Sequence, residues 1–560
     1  MNIVKNVEDK IKQAIINSLE VAKAAGKICY TDLPNFTLEV PREKSHGDFA
    51  TNCGMLLAKQ AKMKPREIAE LILANFDKNG TWVENLEIAG PGFINFSLNN
   101  AWLYETIPTI LSEKTNYGSS KIGAGKKVNV EFVSANPTGL LHMGNARGAA
   151  LGDTIGNLLQ AAGFYVEKEY YINDAGNQIL LFGETLDVRL RQHLGEKIEL
   201  REDGYQGIDI MDTVQRYLSQ HGTGIMKLSE AERRQLLIDY ALKEKLDHIS
   251  NALAAFGVRY DVWFRESELY NSGAVKRAMD ILQEKGYVYE KEGALWLKTS
   301  SLGEEKDEVM VRSNGTPTYF AGDIAYHLNK YERGFTWLIN IWGADHHGHV
   351  ARMKNAMNLF GYEKESLDII LMQLVRLFSN GELIRMSKRT GQFITLLELM
   401  EEVGVDAARY FFVMRSADSH LEFDMDLARS QSSDNPVYYV QYAHARICSI
   451  LRQAAENDID VPEAGTTKLE LLSDAAEFTL LKKLADFPNL IETAALMREP
   501  HRLTTYAGDL AAIFHSFYAK CHVLNEAPEL TAVRLQLAAA TRITLGNLLK
   551  LIGVSAPEKM

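Results

Sequence analysis

Apolar residues recur along the first part of the chain with spacings that change from helical to strand-like. Residues 1–27 and 50–73 place apolar side chains three or four positions apart, which predicts amphipathic helices. Residues 36–40 have the character of a strand, and residues 89–98 form a glycine and proline turn that leads into an alternating strand. This pattern predicts an α+β unit over residues 1–115.

A second pattern covers residues 116–405, where short apolar runs alternate with helical segments. Residues 128–133 predict a strand, whereas the small and apolar residues of 146–159 recur at helical spacing. Such alternation is typical of a parallel sheet covered by helices, and it predicts a Rossmann-type α/β domain. The polar, helix-prone residues 186–245 interrupt it and predict an insertion, while the Gly-, Ser- and Lys-rich residues 117–127 predict a flexible boundary.

Glycine becomes scarce after residue 405, and long apolar-periodic segments dominate. They cover residues 437–451, 469–484 and 533–551. Their helical spacing predicts an all-helical bundle over residues 406–560. The expected fold class is therefore α/β, with an α+β unit before the sheet and a helical bundle after it.

Composition places the chain among multidomain globular proteins. It has 560 residues, of which 46% are hydrophobic and 24% charged. A net charge of −12 argues against a uniformly basic nucleic-acid binder, but it does not exclude a local basic track. Because no apolar stretch reaches the roughly 18 residues that a membrane helix needs, no membrane span is expected.

The cysteines indicate a cellular compartment rather than a site. The chain has four, and they are scattered without a Cys-x-x-Cys pair, at positions Cys29, Cys53, Cys448 and Cys521. Neither a disulfide framework nor a zinc ribbon is predicted. We expect the protein in a reducing cytoplasm.

The junction between the predicted strand at 128–133 and the helix that follows has the features of a phosphate site. A helix that begins near Gly144 directs free N–H groups and the positive end of its dipole at the loop before it. His142 and Asn145 add donors, and Gly144 leaves room for a flat base. Because the chain has no Gly-x-x-x-x-Gly-Lys-Ser/Thr sequence, a Walker-type site is excluded.

Two other segments carry candidate chemistry. Residues 385–389 are basic and could be a solvated turn or a phosphate contact. Residues 345–349 contain an aspartate and three histidines, which could bind a transition metal. They also follow a predicted strand, at the sheet edge where nucleotides bind in such folds.

Two short motifs together identify a family. Residues 142–145, His-Met-Gly-Asn, resemble the first signature of class I aminoacyl-tRNA synthetases, usually His-x-Gly-His, and residues 385–389 resemble their second, Lys-Met-Ser-Lys-Ser. Other segments resemble bacterial arginyl-tRNA synthetases from end to end: residues 131–139, 170–178, 342–348, 406–409, 435–443 and 553–560.

The resemblance implies a function and partners. A member of this family would ligate L-arginine to the 3′ end of arginine tRNA through an arginyl-adenylate, with release of pyrophosphate and AMP. ATP with Mg²⁺ would be required, no other metal is expected, and the protein would be a monomer. Residues 1–115 would bind the tRNA core at its D-loop, residues 116–405 would form the class I catalytic domain, and residues 406–560 would bind the anticodon.

The resemblance also assigns residues at the ATP site. The catalytic residues would be His142, Asn145, Ser387 and Lys388. ATP would be bound by Pro137, His142, Gly144, Asn145, Gly343, Asp345, His346, Arg385, Met386 and Lys388. Asn145 and Arg385 stand where the family usually has a histidine and a lysine. The amide of Asn145 can donate to phosphate but carries no charge, and the guanidinium of Arg385 keeps the charge with a different donor geometry.

Arginine would be bound by Glu131, Ser134, Asn136, Tyr319, Asp323 and His347. Glu131 would meet the α-ammonium group and Asp323 the guanidinium, because a planar fork of donors matches a carboxylate. Asp323 taken singly is a helix N-cap for residues 324–331, and the two interpretations are compatible.

tRNA would be contacted by Phe93, Asn95, Tyr439 and Tyr442. Aromatic rings stack on unpaired bases, although Phe93 and the tyrosines also fit an ordinary core. The charges of residues 186–245 indicate a solvated helix face rather than a tRNA groove.

Three rival hypotheses remain. A cysteine-specific class I synthetase would need cysteine ligands for a zinc ion in its pocket, and none are placed for it. An inactive tRNA-binding paralogue would be expected to have lost His142 and Lys388. A small adenylyltransferase of the same nucleotide fold would leave the C-terminal bundle without a purpose.

Overall fold

The computed structural model describes residues 2–41, 43–384 and 394–560. Its N-terminal part packs three helices on an antiparallel sheet with the strand order β1-β3-β2, and a fourth helix follows. In chain order the elements are α1 (Ile3–Ala24), β1 (Phe49–Thr51), α2 (Cys53–Ala61), α3 (Pro65–Asn75), β2 (Val83–Ala89), β3 (Phe93–Leu98) and α4 (Thr106–Glu113).

Two expectations for this part are wrong. Residues 36–40 form only an isolated bridge, between Glu39 and Ala50, rather than a strand. Residues 50–73 are not one helix, because Phe49–Thr51 pairs with β3 and α2 ends at a left-handed Lys62. Pro65 then begins α3, a position where its missing N–H costs nothing. Helical spacing alone did not reveal this break.

The middle part is an α/β domain. In chain order it contains β4 (Lys127–Glu131), α5 (Met143–Ala161), β5 (Tyr165–Ile172), α6 (Asn177–His193), α7 (Ile208–His221), α8 (Glu230–Ala255), β6 (Val262–Arg265), α9 (Glu266–Asn271), α10 (Ala274–Glu284), β7 (Val288–Lys291), β8 (Ala294–Leu297), β9 (Glu308–Val311), α11 (Tyr319–Glu332), β10 (Trp337–Gly343), α12 (His347–Phe360), β11 (Leu367–Met372), β12 (Val375–Ser379) and β13 (Glu382–Ile384).

Its central sheet has five parallel strands in the order β11-β10-β4-β5-β6. The chain order reverses between β4 and β10, where Glu131 lies opposite Asn340. In open parallel sheets, ligands bind outside the carboxyl ends of the strands at such a reversal. The Rossmann-type fold predicted from the alternation is confirmed, and it places the first signature beside this crevice.

Segments that interrupt the alternation form their own small units. The predicted insertion, residues 186–245, runs from within α6 through α7 into α8, and these three helices pack around a separate apolar cluster. A buried ion pair between Arg233 and Asp187 joins two of these helices. Two further small sheets were not predicted, because their short strands lack a long alternating pattern. One has the order β7-β8-β9, and the other has the order β13-β12-β14, where β14 is Leu421–Asp424.

The segment 117–127 is not a free linker. Tyr117 is buried and its hydroxyl donates to Leu484 O at 2.6 Å. The N–H groups of Gly123 and Gly125 donate to carbonyls that follow α5, those of Ala162 and Gly163. The absence of a side chain at Gly118 allows the backbone to pack closely against Phe487, because a Cβ there would lie 2.4 Å from its ring.

The C-terminal part is helical, as predicted, except for one short strand at residues 421–424 that the all-helical expectation for residues 406–560 did not include. It contains α13 (Leu396–Val403), α14 (Val405–Val413), β14 (Leu421–Asp424), α15 (Met425–Arg429), α16 (Pro436–Glu456), α17 (Ala475–Ala485), α18 (Phe487–Met497), α19 (His501–Lys520) and α20 (Pro528–Ile552). The sequence pattern located α16, α17 and α20, but not α18 and α19. Within the described residues, no helix has both the length and the apolar character of a membrane span.

A buried ionic cluster joins the bundle to the sheet. The guanidinium of Arg409, on α14, donates to Asp153 of α5 at 2.5 Å and to the carbonyl of Ile552, at the end of α20, at 2.8 Å. Lys168 of β5 donates to the other oxygen of Asp153 at 2.6 Å. The same helix that begins at the first signature is thus held at its middle by the bundle.

Candidate active site

The central strand β4 ends in an unusual turn. Val133 and Ser134 have φ angles of 67° and 38°, a region that a β-branched residue rarely adopts. This turn brings the Ser134 hydroxyl back to Glu131 Oε1 at 3.1 Å, and the same hydroxyl accepts from the N–H of Tyr171 at 3.1 Å. Strained backbone of this kind persists where neighbouring contacts hold it, often at a functional site.

Helix α5 begins at the first signature with a reciprocal cap. The N–H of Gly144 donates to His142 Nδ1 at 3.1 Å, and the N–H of His142 donates to Asn145 Oδ1 at 3.0 Å. Partial burial lowers the pKa of His142, which favours the neutral ring. A neutral ring that accepts at Nδ1 carries its proton on Nε2, so it presents a donor.

The glycines of α5 serve different purposes. A Cβ at Gly144 would lie 3.0 Å from His142 Cε1, so an alanine there would press on the imidazole. At Gly152 a Cβ would lie 2.1 Å from Phe132 Cγ, which supports a packing role for that glycine. Pro137, in the loop before the helix, is buried.

The residues after β10 lie at the same edge of the sheet. Gly343 ends β10, and a Cβ there would lie 2.4 Å from Asp345 Oδ1. Asp345 and His346 are exposed in a 3₁₀ turn, where His346 Nε2 lies 3.5 Å from Asp345 Oδ2. His347 is exposed at the start of α12. These positions are open to a ligand in the crevice between β4 and β10.

The second signature lies outside the described residues, and with it Arg385, Met386, Ser387 and Lys388. The residues on either side are described. Ile384 ends β13, and the carbonyl of Ile394 accepts from the N–H of Met143 at 3.1 Å. The N–H of Leu396 also donates to the carbonyl of Leu141 at 2.8 Å. The chain that leaves the second signature therefore pairs with the first.

Helix α11 presents the predicted arginine-pocket residues on one face. Tyr319 and Asp323 are one helical turn apart, and the tyrosine is 51% exposed. The N-cap interpretation of Asp323 is wrong, because α11 begins at Tyr319 and Asp323 lies within it. Its carboxylate accepts from His349 Nε2 at 3.1 Å, and Arg352 donates to Nδ1 of the same ring at 2.7 Å.

A second acidic group faces this pocket from α9. The carboxylate of Glu266 is buried and accepts from the Tyr270 hydroxyl at 3.0 Å. Its Oε1 lies 3.8 Å from the position of a Cβ on Gly322, next to Asp323. Burial raises the pKa of Glu266 to about 7, and the carboxylates of Asp323 and Asp174 add to that shift. A cation between these groups would stabilise their charged forms.

Glu131 is paired on the opposite side of the pocket. Its Oε2 accepts from Lys330 Nζ at 2.6 Å, and that lysine is fully buried. The loop beyond it is held as well, because Asn136 donates to Gln178 Oε1 at 3.0 Å and the Tyr170 hydroxyl donates to Ala135 O at 2.8 Å. The crevice thus has donors at the start of α5 and acids along α11 and α9.

Sequence reasoning missed three residues of this site: Glu266, Lys330 and His349. Glu266 lies in no recognised motif, and no local pattern indicated it. Lys330 falls in an otherwise apolar helix face, and an isolated lysine at a buried position is a signal that a charge partner is near. His349 was noticed only as part of a histidine-rich segment, where a metal was considered. Among the described residues, no group of three or more His, Cys, Asp or Glu could hold a metal ion.

Two candidate surfaces lie away from the crevice. Phe93 and Asn95 share the outer face of β3, while the residues between and after them, Ile94 and Phe96, are buried. Phe93 is 38% exposed, so its interpretation as ordinary core is wrong.

The other surface lies on α16. A cavity of about 480 Å³ is lined by Tyr438, Tyr439, Tyr442, Arg446 and His515, together with three polar residues. The ring centroids of Tyr439 and His515 are 5.3 Å apart, and Arg446 lies over the Tyr442 ring at 5.6 Å. These tyrosines are at least partly exposed rather than buried core. The cavity combines aromatic faces with a cation, which suits a stacked base.

Comparison with protein-family models gives three matches along the chain. Residues 5–98 match the arginyl tRNA synthetase N terminal domain, residues 106–424 match the catalytic domain of tRNA synthetases class I (R), and residues 440–560 match the DALR anticodon binding domain.

Curated relatives and solved structures agree with these models. The chain is 58% identical to the arginine–tRNA ligase of Moorella thermoacetica and 57% identical to that of Heliobacterium modesticaldum, in both cases over the full length of both chains. The Thermus thermophilus arginyl-tRNA synthetase structure superposes with a TM-score of 0.74 at 25% identity, over 99% of this chain and 100% of that one. The Plasmodium falciparum enzyme, at 17% identity and a TM-score of 0.74 over 99% of both chains, has the same fold.

Proposed function

The chain belongs to the arginyl-tRNA synthetase family and ligates arginine to its tRNA, and we propose that it does so with ATP at the start of α5 and arginine between Glu131 and Asp323. The observation that carries this assignment is the geometry of the crevice. A positive helix end with N–H and imidazole donors lies beside a pocket with two facing acids. Such a site suits a polyphosphate and a cationic amino acid side by side.

The reaction follows the class mechanism. An oxygen of the arginine carboxylate attacks the α-phosphorus of ATP, the bond between this phosphorus and the bridging oxygen breaks, and pyrophosphate leaves with the electron pair. A ribose hydroxyl at the tRNA 3′ end then attacks the arginyl carbonyl and releases AMP. Neither step requires a protein nucleophile, so rate enhancement comes from alignment and from charge stabilisation.

We assign the ATP contacts to the α5 start and the β10 edge. His142 Nε2–H and the Asn145 amide nitrogen donate to phosphate oxygens, since Nδ1 and Oδ1 are used by the cap. Asn145 thereby keeps a donor although it lacks the charge of the usual histidine. The base lies against Gly144 and reaches Gly343, Asp345 and His346, with Pro137 supporting the loop. From the second signature, which lies outside the described residues, we expect Arg385, Met386, Ser387 and Lys388 to contribute to ATP binding.

Mg²⁺ would accompany ATP and neutralise charge on its phosphates. The donor set supports binding by the nucleotide rather than by a protein cage. At the start of α5 the contacts are N–H and imidazole groups, and the nearby carboxylate of Asp345 is 81% exposed.

We assign arginine to the pocket between β4 and α11. Glu131 and Ser134 receive the α-ammonium group, and Asp323 receives the guanidinium, with Glu266 as a second acid. Asn136, Tyr319 and His347 complete the proposed set. His349 donates to Asp323 and holds its carboxylate in place. Discrimination follows because a neutral analogue would leave the half-buried Asp323 and the buried Glu266 without the guanidinium as a cationic partner.

tRNA would bind along three domains that we delimit at residues 1–115, 116–405 and 406–560. Phe93 and Asn95 would contact the D-loop, with the ring stacking on a base and the amide bonding to its edge. Tyr439 and Tyr442 would stack on unpaired bases of the anticodon loop in the α16 cavity. We further propose that the protein acts as a monomer in the cytoplasm.

Exchange of pyrophosphate into ATP tests the residue assignments, run with and without arginine and arginine tRNA. Asp323→Asn is expected to lose about 1 to 3 kcal/mol of arginine binding, a rise in the KM for arginine of about 5- to 150-fold, because an amide cannot pair with the guanidinium charge. The KM for ATP should change little.

Asp418→Asn is a control, since this carboxylate is exposed in the loop between α14 and β14 rather than on β4, α9 or α11. Should the KM for arginine in Asp323→Asn stay near that of the unmodified protein, the pocket assignment is wrong. Exchange that requires tRNA would show that the tRNA completes the active site.

The pH dependence of arginine binding should report Glu266. Its pKa of about 7 means that the carboxyl is protonated below pH 7 and charged above it. Because the guanidinium needs the charged form, we expect the KM for arginine to rise as pH falls below 7, by about tenfold per pH unit. Steady-state arginylation between pH 5.5 and 8.5 measures this. Glu266→Gln should flatten the profile, and a flat profile in the unmodified protein would refute the role.

A further inference from the structure

A continuous chain of buried hydrogen bonds links the two ends of the proposed arginine pocket. The carbonyl of Asp323 contacts His327 Nδ1 at 2.7 Å, and His327 Nε2 contacts the Asn340 amide nitrogen at 2.8 Å. The Asn340 amide oxygen accepts from Lys330 Nζ at 3.3 Å, and Lys330 donates to Glu131 Oε2 at 2.6 Å. The path runs beneath the pocket from α11 across β10 to the end of β4.

The histidine in this hydrogen-bonded path is neutral. Burial lowers the pKa of His327 to about 4, so its ring is neutral under physiological conditions. The Asn340 amide donates to Nε2 of the ring. The proton of the neutral ring is therefore on Nδ1, and this N–H donates to the backbone carbonyl of Asp323. Each donor in the path therefore meets an acceptor, and the direction of every hydrogen bond is fixed.

Lys330 is the only cation in this path of hydrogen bonds. It is fully buried, reaches no open part of the crevice and lies over the Tyr326 ring at 4.3 Å. On β5, Glu169 faces it as a second carboxylate; burial favours the neutral form of Glu169, but the charges of Lys330 and Arg333 hold its pKa below the ordinary value. The phenols of Tyr171 on β5, Tyr260 and Tyr326 also face Glu131.

We propose that Lys330 is a positioning residue for arginine recognition, which keeps Glu131 charged and fixes its carboxylate relative to Asp323. The proposal rests on the proposed function, in which Glu131 and Asp323 meet the two ends of arginine. Lys330 contacts neither arginine nor ATP. It holds Oε2 of Glu131, so that Oε1 stays beside the Ser134 hydroxyl, where the α-ammonium group binds.

Lys330→Met removes the charge and keeps a side chain of similar length. Without its cation, the buried Glu131 is expected to take up a proton, while Glu169 keeps Arg333 at 2.6 Å. We expect the KM for arginine at pH 7.5 to rise about 10- to 100-fold, with little change in the KM for ATP. The slope of log KM for arginine against pH should also steepen below neutral pH by about one, since one more proton must leave before arginine binds.

Lys168→Met is the matched control. Lys168 is also a buried lysine of the catalytic domain, with Asp153 as its carboxylate partner at 2.6 Å, but it packs against α5 on the other face of the sheet. It should lose stability as Lys330→Met does, without steepening the arginine profile. A merely structural role for Lys330 would make the two variants behave alike.

The double variant Lys330→Met, Glu131→Gln separates charge from position. It removes both charges, so the added slope should disappear while the KM for arginine stays high. Asn340→Leu interrupts the path of hydrogen bonds but leaves the ion pair between Lys330 and Glu131. It should raise the KM for arginine without steepening the dependence of that KM on pH. This variant carries the test if Lys330→Met does not fold, and an unchanged KM for arginine in it would overturn the proposal.

The outcomes also separate this inference from the proposed function. If Lys330→Met shows the pH slope and arginine KM of Lys168→Met, the inference is wrong and the active-site assignment stands. If Glu131→Gln alone leaves the KM for arginine unchanged, the assignment of Glu131 fails and the inference fails with it.

Discussion

Lys388→Ala is expected to lower the rate of arginyl-adenylate formation by about 10²- to 10³-fold, with little effect on the stability of the fold. Negative charge builds on the phosphates as pyrophosphate leaves, and a positioned ammonium group stabilises that charge more in the transition state than in bound ATP. The effect should therefore appear mainly in kcat rather than in the KM for arginine.

The contacts made by the residues that follow the second signature support this expectation. Beyond it, the carbonyl of Ile394 accepts from Met143, directly after His142. The N–H of Leu396 donates to Leu141, directly before it. These contacts tie the chain that follows the second signature to the start of α5, where we propose that the phosphates bind.

Single-turnover arginylation and pyrophosphate exchange would measure the effect of Lys388→Ala. Lys520→Ala, at the exposed end of α19, is the control and should behave like the unmodified protein. A loss of less than tenfold in Lys388→Ala would mean that Arg385, Arg389 or the α5 start supplies the stabilisation instead.

Arg409→Met is expected to destabilise the contact between the bundle and the sheet by about 3 to 5 kcal/mol. Arg409 is fully buried and donates to Asp153, to the carbonyl of Ile552 and to that of Phe256 at 3.1 Å. Removing the guanidinium leaves two carbonyls without this donor and leaves Asp153 with Lys168 as its buried cation. Space for the guanidinium depends on Gly553, where a Cβ would lie 2.4 Å from Arg409 Nη2.

Urea unfolding followed by tryptophan fluorescence, with hydrogen exchange to locate the change, would measure this loss. The control is Arg452→Met on α16, since Arg452 is partly exposed and donates to Glu558 O at 3.1 Å; it should change stability by less than about 0.5 kcal/mol. If hydrogen exchange in α5 and α20 is the same in Arg409→Met as in the unmodified protein, the cluster does not hold the two parts together.

Local signals predicted the start of the site well. The apolar run before residue 134 and the small residues after 145 predicted a strand and a helix, and β4 and α5 occupy those places. Both elements depend on neighbours in sequence, so their patterns are readable without the fold. By contrast, helix bounds at Pro65 and at Tyr319 were mistaken, because apolar spacing continues through a break and does not mark which turn begins a helix.

The sequence by itself determined the chemistry at the start of α5, because a reciprocal cap between His142 and Asn145 involves residues three positions apart. It also determined the fold class, since the alternation of strands and helices restricts the possible topologies. The tertiary structure alone decided which acids are paired. Glu131 meets Lys330, 199 residues away, and Asp323 meets His349, 26 residues away. Such pairs arise only when the sheet order brings separate strands and helices to one edge, so no local pattern could have identified them.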